Sequence, residues 1–452
     1  MKRIAIAVVV LVVVLAAALP PLFGARARSL IENDLAYLAE LLAPYGTVEV
    51  SLQDWDVGWY SSTATAAVVV AFDDRPDVPP RLVDLPAFTR TFPNSITLRH
   101  GPVVTGPAAG LGWGSVELVV DPSLVPPLQD FHDATGLDRV AHLGISVGFF
   151  GSATVGLDIP AFVYEVPGQQ FDFRGLEADA TLDGAGEAMD FGGEFGGLTV
   201  TGQASQTAAV GTTTWSGRNR VDPRYPNLWL GEGRVDIARA MVGGGQAGES
   251  VEVSDIRLQG ESGIEGDLYV ATGLYRAKEM QVMNAQLDDL VLDYAVGYGA
   301  EGMVRLMAGG LDVAVLTPEA QLENADALLR QRLTFDIDRL GFKHAGRPAL
   351  ATVAMAYRGD ELPDDFNVEL PLDFMALLPL LSANLDLAFH RELLGDLGIG
   401  QMDGVVRMLA REGIVREAGD DYTLNVGFAN GGLTINGDPF EPFQLLGLFG
   451  GP

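Results

Sequence analysis

Three groups of side chains in this sequence have types and spacings that could do chemistry. The first is Gly144, Ile145, Ser146, Val147 and Gly148, the G-x-S-x-G pattern of a nucleophile elbow. An elbow needs a strained strand-to-helix turn that presents the serine Oγ to a histidine and an acid further along the chain. Here Phe149, Phe150 and a strand-like stretch at 153–157 follow, so the helix is missing. No spacing brings the later His344 or His390 to Ser146, and in a chain with 55 glycines the pattern is read as chance. The second group is histidine, of which there are five. His100, followed by Gly101 and Pro102 after a strand-like run, is the one to inspect. It is either a polar group fixed beside a ligand or an imidazole bonded to backbone carbonyls where Gly and Pro shape a turn. His132, next to Asp133, and His142 show no His-x-His or His-x-x-x-His spacing, so no metal is expected. The third group is carboxylate: Asp73, Asp74 and Asp77; Asp288, Asp289 and Asp293; Asp360, Glu361, Asp364 and Asp365; Asp420 and Asp421. A glycosidase needs two facing carboxylates at a set separation. No calcium-loop spacing occurs, and the acids are read as a solvated surface. No catalytic residue and no cofactor is assigned.

Composition bounds the rest. The chain has 452 residues, 48% of them apolar, which supplies ample core material. Acidic residues outnumber basic ones 60 to 29, a net charge of -31. Nucleic acid is therefore not an expected partner, because phosphate contacts need a basic surface. Cysteine is absent, which removes disulfides, thiolate metal sites and thiol nucleophiles. No glycine cluster leads into Gly-Lys-Ser/Thr, so no phosphate loop is expected. Trp55, Trp59, Trp113, Trp215 and Trp229 are spread out and read as sheet-packing anchors.

The elements that must position these residues begin with an anchor. Residues 4–23 carry no charge and follow Lys2 and Arg3. Twenty helical residues span about 30 Å, a bilayer's hydrocarbon thickness, and exceed the apolar region of a cleaved signal peptide. The expectation is a transmembrane anchor over 1–24 and a juxtamembrane helix over 25–46, where Ile31, Leu35, Leu38 and Leu42 form one stripe. From 47 to 316 the texture is β, with Val-, Thr- and Leu-rich segments at period two. A division near Ser250 is offered. Val251, Val253, Ile256 and Leu258 alternate with one slip, as a bulge would give. Gly192 with Gly193, Gly196 with Gly197, and the glycines at 243–245 read as turns. Helices return over 317–452: one capped by Thr317 ahead of Pro318, one over 375–394 disturbed by Pro379, and one over 400–411. A strand is expected at 368–374. Hairpins are expected around 344–347 and around Asn430, Gly431 and Gly432.

Four motifs give a resemblance. Trp55, Asp56, Val57, Gly58, Trp59, Tyr60, Ser61 and Ser62 lead into a strand. His100, Gly101 and Pro102 follow another. Glu369, Leu370, Pro371, Leu372 and Asp373 form a third motif, and residues 429–437 a terminal hairpin. Their order resembles the YdgA-like family of bacterial envelope proteins, with Val57 where that family commonly has arginine. The resemblance implies an inner-membrane-anchored protein with its body in the periplasm, and it brings no reaction. It makes His100, Gly101, Pro102, Trp55, Gly58 and Trp59 the candidate ligand or partner residues.

The expected fold is α+β and predominantly β: a transmembrane helix, a long antiparallel curved sheet, and helices toward the C-terminus. Such a sheet has one apolar face to cover. The leading expectation is a non-enzymatic protein, tethered through residues 4–23, that binds a lipid or another envelope component. The alternatives are a homo-oligomeric scaffold, a homodimer burying that face, and a carboxylate-dependent glycan hydrolase.

Overall fold

A computed structural model describes residues 47–57, 61–71, 89–100, 103–104, 108–124, 128–203, 206–244, 250–282, 285–306, 326–363, 366, 373–397 and 400–441. The expected anchor, the juxtamembrane helix, the cap at Thr317 and the segment 368–372 lie outside these residues. Among the described residues no helix is long and apolar enough to cross a membrane. The chain is predominantly β and divides into two compact units, 1–200 and 201–452.

The first unit holds β1 (Thr47–Val57), β2 (Ser61–Ala71), β3 (Thr89–His100), β4 (Val103–Val104), β5 (Gly110–Val120), β6 (Ala141–Gly148), β7 (Ala153–Ile159), β8 (Phe162–Val166), β9 (Gln169–Phe173), β10 (Leu176–Leu182) and β11 (Ala188–Phe195). β12 (Leu198–Thr201) crosses the division. Antiparallel pairing runs β1, β2, β3, β5, β6, β7, β10, β11. The β8–β9 hairpin leaves the ladder between β7 and β10. It packs on the helix Gln129–Thr135, with Phe131 ring centroids 5.0 Å from Phe162 and 5.1 Å from Tyr164. Gly192 and Gly193 are not a turn: they lie inside β11, opposite Asp179 and Ala178.

Burial in this unit inverts the usual order. Val116, Ile145, Val155 and Ala180 form an apolar cross-strand row, yet Ile145 and Val155 are exposed. Ser115, Glu117 and Ser146 on the other face are buried, at 3%, 6% and 8% exposure.

The second unit begins with β13 (Thr207–Val210) and β14 (Thr213–Asp222), which lie end to end along β15 (Tyr225–Gly243). β16 (Ser250–Glu265), β17 (Leu268–Val282), β18 (Ala285–Gly299), β19 (Arg332–His344), β20 (Arg347–Arg358) and β21 (Leu381–His390) follow in sequence and in space. β22 (Arg416–Ala418) and β24 (Gly432–Ile435) pair with β23 (Asp421–Ala429), which also pairs with β21. β25 (Asp438–Pro439) closes the ladder. Ser250 opens β16, inside this unit. The tight turns Ala345–Gly346, Asn430–Gly431 and Asn436–Gly437 each place two consecutive residues at positive φ. That is the conformation of a two-residue turn whose twist matches the strands.

Two expectations are corrected. The stretch 375–394 is not a helix: a 3-10 segment, Asp373–Leu380, containing Pro379, leads straight into β21. The slip between Val253 and Ile256 is real but is not a solitary bulge. Four neighbouring strands share it, each with two residues where alternation allows one. The apolar positions step from Ile237 to Ala240, Ile256 to Val253, Ala277 to Met280, and Leu290 to Leu287. From β15 to β18 the extra residues match, so the register on either side is unchanged: Ile237 faces Ile256 and Arg239 faces Ser254. Asp255 and Asp289 absorb the step at φ of 50° and 53°. The register shifts against β19, and residues 338 and 339 bulge where β19 meets β20. This transverse crease keeps one face apolar on both of its sides.

Candidate functional site

The register brings the two main motifs of the sequence together. β1 carries a bulge between Gln53 and Asp56, and Trp55 falls within it. Val57 then faces Ser62. Ser61 faces Arg99, and His100 faces Gly114. The Trp55 segment and His100 therefore lie toward the same end of the first unit's sheet, with β2 between them. Gly58, Trp59, Gly101 and Pro102 lie outside the described residues, so the structure places two of the six candidates.

Next to His100 is a cluster that sequence spacing does not reveal. Arg99 Nε donates to Glu117 Oε1 at 2.8 Å, and a second nitrogen reaches Oε2 at 3.3 Å. His142 Nε2 lies 3.6 Å from the same carboxylate. Arg139 approaches His142 Nδ1 at 3.4 Å and donates to Asp158 at 2.7 Å. Gly144 and Gly156 are successive cross-strand neighbours of Glu117, so no side chains crowd it there. Among the described residues Ser115 Oγ and His142 Nε2 are buried without a hydrogen-bond partner. The bidentate arginine makes this a satisfied carboxylate with polar capacity left beside it. Ser146 is on the same face as His142 but four strand residues away, about 13 Å, beyond proton-transfer reach. It sits mid-strand, so the elbow geometry is absent.

The second unit presents a different feature. Trp215, Val235, Leu258, Tyr275, Leu292, Leu340, Ala351, Leu387 and Leu424 form one unbroken cross-strand row. Two residues away on the same face, Gly217, Gly233, Gly260 and Gly273 stand in line and continue as Tyr294, Ile337, Val353, Leu385 and Val426. The glycines cut a trough beside an apolar wall. A Cβ on Gly260 would meet nothing nearer than a backbone oxygen at 3.5 Å, and one on Gly233 nothing nearer than 3.8 Å. The trough ends at Gly273, where the Tyr294 ring fills the space a side chain would take. Tyr294 stacks on Tyr275 at 5.7 Å, their hydroxyls 3.4 Å apart. Hydrogen bonding with Tyr275 and then burial push the Tyr294 hydroxyl's pKa up, so it stays a neutral donor.

Helical segments cover this face at both strand ends of β20–β23. Val406 of the helix Gln401–Arg411 packs with Val415, Tyr422 and Phe389. Leu362, Phe366 and Leu380 pack with Tyr357 and Leu329. Between them the face is open, and Leu340 and Tyr275 are 46% and 40% exposed. Among the described residues no group of three potential ligands could hold a metal ion. Among the described residues the aspartates whose pKa departs from the usual value, Asp183, Asp222, Asp236 and Asp289, all move down, opposite to what a general acid needs.

A family model described as bacterial protein of unknown function (DUF945) matches residues 1–443. No curated protein and no solved structure matches the chain.

Proposed function

The chain belongs to the DUF945 family of bacterial proteins of unknown function, and from that premise we propose that it binds the acyl chain of a lipid along the apolar face of its second unit. The observation that carries this reading is the glycine trough beside the continuous apolar row. Apolar surface buried by a ligand there is worth about 25 cal/mol per Å². A straight hydrocarbon needs a groove without side chains, and Gly233 and Gly260 provide one. The paired hydroxyls of Tyr275 and Tyr294 at its end suit a polar head that needs neutral donors. We further read residues 4–23 as a single-pass inner-membrane anchor with the body in the periplasm. The YdgA-like assignment on the His100 and Trp55 motifs belongs to the same proposal. In this reading the protein acts by holding lipid, not by transforming it.

The test is native mass spectrometry of residues 27–452 purified without detergent, with extraction of whatever is bound. A stoichiometric lipid, lost when Gly233→Leu and Gly260→Leu fill the trough, is the expected result. A ligand-free dimer would overturn it and favour a scaffold in which a second copy covers the face. Release of a trimmed glycan, abolished by carboxylate substitutions, would favour a hydrolase instead.

A further inference from the structure

The opposite, polar face of the second unit holds a cleft of about 640 Å³ that lies along the crease. Ala238, Asp255, Lys278 and Asp289, one from each creased strand, all line it, and Arg339 joins them from β19. A line of irregular residues that coincides with one cleft across four strands shapes that cleft. Backbone irregularity of this kind recurs beside functional sites.

The charges in the cleft do not balance by contact. Arg257, Arg276, Lys278 and Arg339 line it together with Asp236, Asp255 and Asp289. Asp236 is shared by Arg234 and Arg257, the latter at 2.9 Å. Asp289 accepts from Lys343 at 2.8 Å. Asp255 reaches Lys278 only at 3.7 Å, and both are well exposed. Among the described residues Arg276 and Arg339 have no hydrogen-bonded carboxylate, although Arg339 faces Asp293 in the β18–β19 register and its charge helps hold the Asp289 carboxyl down. Arg276 also stands directly opposite Arg257 in the β16–β17 register. Like charges facing each other across strands are unfavourable, and among the described residues no carboxylate is hydrogen-bonded to Arg276. The chain's three lysines are Lys2, Lys278 and Lys343, so two of them flank this cleft. In a protein of net charge -31, a concavity lined by four basic and three acidic side chains is a local exception to the overall field.

We propose that this cleft binds an oxyanion of at least two negative charges, a phosphomonoester or pyrophosphate group, gripped by Arg276, Arg339 and Lys278. Arginine's planar fork matches phosphate oxygens two at a time, and lysine adds a point charge. Side chains alternate across a strand, so the cleft and the apolar trough lie on opposite faces, and this site stands apart from the acyl site.

The experiment uses the full chain in a neutral detergent and titrates inorganic pyrophosphate by calorimetry. One-to-one binding is expected, weakening at least about tenfold as salt rises from about 0.05 to about 0.5 M. The pair Arg276→Gln with Arg339→Gln loses at least about tenfold in affinity with an unchanged melting temperature. Arg276→Lys, which keeps the charge and loses the fork, weakens binding less than Arg276→Gln. Glycerol 3-phosphate, a lipid headgroup fragment, distinguishes the sources. If it binds tighter than pyrophosphate the anion is a headgroup; if weaker, a soluble phosphate compound. No heat at low salt overturns the proposal, as does equal weakening by Arg174→Gln, an exposed arginine outside the cleft.

Discussion

Glu117 shows how much a single residue depends on what its register places beside it. It is 6% exposed, and its charge is met by Arg99 and approached by His142. Arg99→Met should therefore lower stability by about 1–3 kcal/mol, because it leaves a buried carboxylate poorly compensated. Adding Glu117→Leu should recover most of that loss; urea midpoints of the single and double variants check both. Asp236 gives a pH signature. Arg234 and then Arg257 hold its pKa down from 3.8 to about 2. The folded value is depressed, so its contribution is complete above about pH 4 and disappears as pH falls toward about 2. Asp236→Asn should lose stability at neutral pH and show a flatter decline from about pH 4 to 2, followed by urea unfolding across that range. The sequence singled out His100; the polar cluster that the structure shows is built on Glu117 and held by the neighbouring Arg99. The Arg99–Glu117 pair was not legible, because it spans 18 residues and depends on how β3 meets β5.

At the scale of elements, local chemistry foretold the turns and missed what neighbours impose. Asn430 and Gly431 marked their hairpin because both accept positive φ. The apolar run over 375–394 suggested a helix, but its C-terminal half pairs with β20 on one side and β23 on the other. Those ladders override helix propensity, and Pro379 marks the change. Gly192 and Gly193 suggested a turn, yet a strand accepts glycine where its neighbours supply the pairing. The slip in β16 was legible in one strand; the crease is a relation among four strands and was not. It makes a sharp prediction at Asp255, where φ is 50°. Asp255→Val should destabilise by about 1–2 kcal/mol, since a β-branched residue resists the left-handed conformation. Asp255→Gly should stay within about 0.5–1 kcal/mol of the parent, as relief of strain offsets lost stiffness. Denaturant midpoints of the two variants decide it.

At the scale of the whole chain, composition and periodicity correctly announced a predominantly β, antiparallel protein. The rows themselves were hidden, because their members lie on different strands and only pairing aligns them. They predict where a hydrocarbon would report itself. A brominated fatty acid should quench Trp215, on the wall of the trough, and the effect should fall sharply in Gly260→Leu while the melting temperature holds. Quenching that persists in Gly260→Leu would place the hydrocarbon elsewhere.

The crease also bears on how this sequence can change over generations. Because β15 to β18 each carry the additional residue at the same level, losing one in a single strand, Asp255 for instance, would turn one side of that strand inside out relative to its neighbours. Val251 and Val253 would face water, and Glu252 would face the apolar side. One-residue deletions here are tolerated only in concert, so the strands are bound in inheritance as well as in space. A library of single-codon deletions within the strands β15 to β18 should return almost no folded members, whereas the same library over the connections between them should return many.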